Sequence, residues 1–75
     1  MSPEKLAYMA NQIGTFFKSQ GPERGPVSIA EHISKFWDPR MRRAILAYIE
    51  TDENSAKLQP MVLQAIRSLK TPVAD

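Results

Sequence analysis

Proline at position 39 forbids one continuous helix through residue 38, because its ring crowds the preceding residue out of the helical backbone region. Yet apolar residues recur at helical spacing on both sides of it. The chain must therefore turn a corner at Asp38-Pro39 between two helices. The same pair is suited to start the second of them, with Asp38 as cap and Pro39 at the first helical position. Around this corner stand the only Trp, the only His and three of the five Arg in the sequence. Trp and Arg are the residue types that most often carry binding energy at protein interfaces. The corner therefore reads as a docking surface before it reads as an active site.

Four helical segments are predicted. The first covers residues 3–19, with Ser2 as cap and Pro3 at the first position. Leu6, Met9, Ala10, Ile13, Phe16 and Phe17 give it the i, i+3, i+4, i+7 rhythm. Gly21-Pro22 stops it, and residues 20–27, with two Gly and two Pro, are predicted as loop. The second helix starts at Ser28, where Ser28-Ile29-Ala30-Glu31 has the form of a capping box. Its apolar stripe is Ile29, Ile33, Phe36 and Trp37. The third runs from Pro39 to about Glu50, with Met41, Ala44, Ile45, Tyr48 and Ile49 buried. Residues 51–59 are expected to be loop with Leu58 pinned to the core. Pro60 opens a fourth helix that ends near Lys70, and residues 71–75 are expected to be a frayed tail. No alternating strand pattern occurs. The expected fold is all-α: one small domain over residues 1–75 with three to four short helices.

A chain of 75 residues buries only about 60% of the surface its unfolded form exposes, so a lone core is marginal. Small domains gain support from disulfides, metals or partners. The absence of Cys removes disulfides and thiolate metal sites together, and one His with no cluster of acids builds no zinc or calcium site. A partner subunit or well-idealised helix packing is the support that remains. No secretory leader and no membrane-length apolar run is visible, so the chain is expected to be soluble and cytoplasmic. The net charge of +2 is too mild to demand nucleic acid. Its placement says more: Lys35, Arg40, Arg42 and Arg43 surround Asp38, while Glu50, Asp52 and Glu53 lie further along. A dipolar surface of this kind steers a complementary partner.

Each candidate residue has a plain structural alternative. Phe36 and Trp37 point about 100° apart on a helix, so one ring can enter the core while the other lies at its edge. Arg40, Arg42 and Arg43 fan around their helix rather than forming one stripe, which suits a wedged surface helix better than a nucleic-acid-reading face; an ordinary solvated face is the alternative. His32 has no nucleophile beside it and is assigned a structural, hydrogen-bonding role rather than catalysis. Ala7, Asn11 and Gly14 form a small-residue face on the first helix, where another element can approach closely and Asn11 can bond a neighbouring carbonyl; simple tolerance of a helical glycine is the alternative. Tyr8 lies opposite the apolar stripe. No phosphate loop, carboxylate pair or nucleophile motif is present.

Met9-Ala10-Asn11-Gln12-Ile13 followed by Phe16-Phe17, then His32-Ile33 and Phe36-Trp37-Asp38-Pro39-Arg40-Met41-Arg42, resembles the delta subunit of soluble NAD-dependent formate dehydrogenases over nearly the whole chain. The resemblance implies a small non-catalytic subunit associated with a large alpha subunit, with beta and gamma subunits in the same cytoplasmic complex. It also implies that the cofactors lie outside this chain: bis-molybdopterin guanine dinucleotide with molybdenum or tungsten, iron–sulfur clusters, FMN and NAD. The function expected is docking on the alpha subunit in support of assembly or cofactor insertion, with no nucleic acid and no membrane as partner. Trp37, Arg40 and Arg42 are the expected interface anchors, Asp38 and Pro39 fix the corner, and Phe36, Met41, His32, Asn11 and Gln12 complete the candidate interface. A helix-turn-helix nucleic-acid-binding protein is the rival, although its usual turn of three or four residues is longer than Asp-Pro. A small enzyme or metal carrier is the second rival.

Overall fold

A computed structural model of the chain describes residues 1–70; the expected tail at residues 71–75 lies outside the described part. The described residues are helical with no strand, as the periodicity predicts. Helix α1 is Pro3–Phe17 and is followed by a single 3-10 turn, Lys18–Gln20. Helix α2 is Gly21–Phe36, α3 is Pro39–Tyr48, α4 is one turn at Asp52–Ser55, and α5 is Pro60–Arg67.

The expected caps form. Ser2 Oγ accepts from the Lys5 N–H at 3.2 Å, and Asp38 Oδ1 accepts from the Met41 N–H at 2.9 Å. Trp37 and Asp38 are both extended, with ψ of 137° and 168°, so the corner before Pro39 is two residues long. Residues 51–59 are not wholly loop. Thr51 Oγ1 accepts from the Asn54 N–H at 3.2 Å and caps α4, whose first turn holds Asp52 and Glu53. Acids that oppose the dipole at the end of α3 favour it at the start of α4.

The largest departure from the sequence reading is at residues 20–27. Gln20 closes the 3-10 turn, residues 21–27 are the first turns of α2 rather than a loop, and Ser28 is inside the helix, not its cap. Gly21, at φ 90°, redirects the chain out of the 3-10 turn, and Pro22 falls in the first turn, where its missing N–H is not needed. Ser28 Oγ instead donates to Gln20 Oε1. Only Pro26 removes a ladder bond, the one that would have reached the Pro22 carbonyl. Packing holds the helix through it: Gly25 and Pro26 are both buried, and a Cβ at Gly25 would come within 2.5 Å of Met61 Sδ on α5.

The core gathers one face of each long helix. Leu6, Ile29, Ile33, Ile45, Val62 and Ile66 are the largest fully buried side chains, joined by Ala10, Trp37, Tyr48 and Leu58. Helix α2 lies against both α1 and α5, and α3 lies across α1. On α1 the buried residues are Leu6, Ala7, Ala10 and Gly14. The small-residue face therefore packs inward, and a Cβ at Gly14 would land on Val62 Cγ2. Phe16, part of the apolar rhythm of this helix, is 77% exposed.

Candidate docking surface

On a helical wheel the packed face of α1 and its large apolar residues are centred about 100° apart. Leu6, Ala10 and Gly14 hold α1 against the core. Met9, Ile13, Phe16 and Phe17, joined by Gln12, are left along one flank. Across from them α2 presents His32 and Phe36, and the corner supplies Trp37 and Met41. Together these nine residues line an open groove of about 630 Å³. Its wall is a chain of rings. Phe16 meets Phe17 edge-on with centroids 5.0 Å apart, Phe17 meets His32 at 6.0 Å, and His32 lies tilted against Phe36 at 4.7 Å. The contacts His32 makes are thus ring contacts rather than the hydrogen bond expected of it. Lys35 Nζ sits 5.9 Å from the Phe36 centroid, within reach of a weak cation–π attraction.

The two neighbouring aromatic residues at the corner divide as adjacent helical positions allow. Trp37 is 5% exposed and joins the core, while Phe36 is 66% exposed. Five of the ten candidate interface residues line the groove: Gln12, His32, Phe36, Trp37 and Met41. Four of the other five surround or support it. Asp38 caps α3, Pro39 opens it, and Arg40 is exposed in its first turn. Arg42 reaches back to the end of α2, where Nη1 donates to the Trp37 carbonyl at 2.5 Å and to the Ser34 carbonyl at 3.4 Å. Asn11 faces away from the groove. Its Nδ2 donates to the Lys57 carbonyl at 3.0 Å, and its Oδ1 accepts from the Gln59 N–H at 3.0 Å. Gln12 Nε2 donates to the Tyr8 hydroxyl at 3.2 Å at the groove's outer lip.

Met9, Ile13, Phe16 and Phe17 were legible only as a helical apolar stripe. The signal that separates them from the core was nevertheless present: α1 carries too many apolar residues for one face, and its second face is made of small ones.

The chemistry available is that of contact. Among the described residues, no group of three or more His, Cys, Asp or Glu is placed to hold a metal ion. The chain has no Cys to ligate an iron–sulfur cluster, and the polar side-chain groups of the groove residues are the Gln12 amide, the His32 imidazole and the Trp37 indole N–H. Such a groove does not fit a cluster, a pterin or a phosphate. Among the described residues, no helix is long and apolar enough to cross a membrane.

The family model described as NADH-dependent formate dehydrogenase delta subunit FdsD matches residues 5–66. The chain belongs to the FdsD family. It is thus a delta subunit of a formate dehydrogenase complex. The FdsD match covers both walls of the groove and the Asp38-Pro39 corner. No curated protein and no solved structure gives a significant match.

Proposed function

We propose that this delta subunit docks on the large alpha subunit of the formate dehydrogenase through the aromatic groove and supports assembly of the complex, including insertion of the molybdenum or tungsten cofactor. On this reading the chain is not an enzyme by itself. The pterin, iron–sulfur, FMN and NAD chemistry belongs to its alpha, beta and gamma partners in a cytoplasmic complex. One observation carries the reading: two Phe rings, 77% and 66% exposed, flank a continuous apolar groove on a very small chain. An exposed apolar patch rimmed by polar residues marks an interaction surface. The helix-turn-helix alternative loses a basic side chain, since the Arg42 guanidinium is committed to carbonyls of the chain itself.

The test is co-purification with the alpha subunit. Trp37→Ala is a poor probe, because removing a buried aromatic costs about 3–5 kcal/mol of stability. Phe16→Ser with Phe36→Ser removes exposed rings instead. The double variant is expected to stay folded and to lose on the order of 2 kcal/mol or more of binding, as interface hot spots do. Undiminished co-purification of the folded variant overturns the docking reading. For the assembly role, the molybdenum or tungsten content of the alpha subunit, expressed with and without this chain, is expected to differ; equal content removes that role.

A further inference from the structure

We infer that the segment of the alpha subunit seated in the groove is acidic and amphipathic, with apolar anchors between Phe16 and Phe36 and Asp or Glu residues beside them. This rests on the docking reading above and adds the chemistry of the partner. None of the nine residues that line the groove carries a carboxylate. Its borders carry cations. Lys35 Nζ stands 5.9 Å from the Phe36 ring centroid, and exposed Arg40 adjoins Met41 in the first turn of α3. Exposed Lys5 lies one helical turn before Met9, on the row of α1 that continues through Gln12 and Phe16. The acids nearest in sequence, Glu4, Glu31 and Asp38, are outnumbered by Lys5, Lys35, Arg40, Arg42 and Arg43. Asp38 Oδ1 accepts the Met41 N–H at 2.9 Å and keeps its charge, and Glu31 lies one helical turn before Lys35 on α2. The chain's own acidic group, Glu50, Asp52 and Glu53, lies past the far end of α3. A small molecule would need several convergent polar groups to orient it, and the groove residues carry no charged side chain, only the polar groups of Gln12, His32 and Trp37. An apolar floor inside a cationic rim fits a peptide segment whose anchors give affinity and whose carboxylates give steering and register.

The test uses the assembled complex. A photoreactive benzophenone analogue of phenylalanine is placed at position 16 and, separately, at position 36, both exposed, and the crosslinked peptides are identified by mass spectrometry. The expected product is an alpha-subunit segment with apolar residues flanked by two or more Asp or Glu. Alongside it, Lys35→Glu with Arg40→Glu is expected to weaken binding of the alpha subunit by about tenfold or more at low salt, with a smaller loss at high salt. Crosslinking to an alpha-subunit segment without acids, or a charge reversal with no effect, overturns the acidic chemistry and leaves the docking reading standing. Crosslinking to a second copy of this chain, to the chain itself or to another subunit overturns both, as does no crosslink from either position.

Discussion

Gly21 has φ 90° and ψ 173°, a backbone region that only glycine occupies at low cost. A Cβ there would meet nothing within 4 Å. The requirement is therefore conformational, and it lies at the joint that sends α2 away from α1. Gly21→Ala is expected to lower stability by about 1–3 kcal/mol, read as a fall in Tm. D-Alanine at position 21 of a synthetic chain adopts this conformation without strain and is expected to melt at or above the native temperature. Equal loss from both isomers would show that something other than the backbone is at work. Gly14 presents the opposite case, an ordinary helical backbone with no room. Ala at position 14 gains about 1 kcal/mol of helix propensity but presses on Val62 and comes 2.8 Å from Gln59 Oε1. Val62 is fully buried and cannot retreat, and overpacking of this kind costs about 1–3 kcal/mol. Gly14→Ala is thus expected to destabilise modestly, and Val62→Ala beside it to recover part of the loss in a double-mutant cycle. At this scale the sequence was informative. Asn11 and Gly14 were readable as a face for close approach, but a linear chain does not say that α5 and Gln59 come to meet it.

Elements were legible where a local signal had no competitor. Ser2-Pro3 and Asp38-Pro39 start helices because cap and proline agree. Residues 21–27 misled because two Gly and two Pro outweigh any local helical preference, and what holds them in α2 is tertiary: Gly25 and Pro26 buried, with Met61 of α5 against them. Helix α1 misled in the other direction. Its rhythm of large apolar residues was correct, but α2 and α5 pack on its small face, and the large residues became a groove wall. The end of α2 rests on a partner from the next helix. Its last carbonyls lack intrahelical donors, and Arg42 supplies one to Trp37 and one to Ser34. Arg42→Ala is expected to cost about 1–2 kcal/mol, in the lower range for hydrogen bonds to charged groups, and to speed amide exchange at Phe36 and Trp37 more than in α5. Arg42→Lys restores the charge without the planar fork and is expected to recover only part. Uniform loss of protection along the chain would mean that Arg42 stabilises the fold globally rather than clamping this corner.

The whole molecule packs to an ordinary size. Its radius of gyration of 11.3 Å equals the ~11 Å expected for a compact chain of this length, so the groove is a surface feature of a well-packed fold rather than slack in it. Its total accessible surface is 5080 Å². An interface of standard size, ~800 Å² per partner, would cover about a sixth of that. Docking should therefore act strongly on stability. A partner present at a hundred times its Kd adds about 2.7 kcal/mol to a chain it binds only when folded. Core amides of Ile29 and Ile33, which exchange by global opening, are then expected to slow by about a hundredfold with the alpha subunit at that excess. The Phe16→Ser, Phe36→Ser variant is expected to match the native chain when alone, since both rings are exposed, and to gain about 1 kcal/mol or less from the alpha subunit at the same concentration. This pair of measurements separates stability held within the chain from stability borrowed from the complex. If the native chain gains no protection at saturating alpha subunit, the complex contributes nothing to its fold. If the variant gains as much as the native chain, the contribution comes through a face other than the groove.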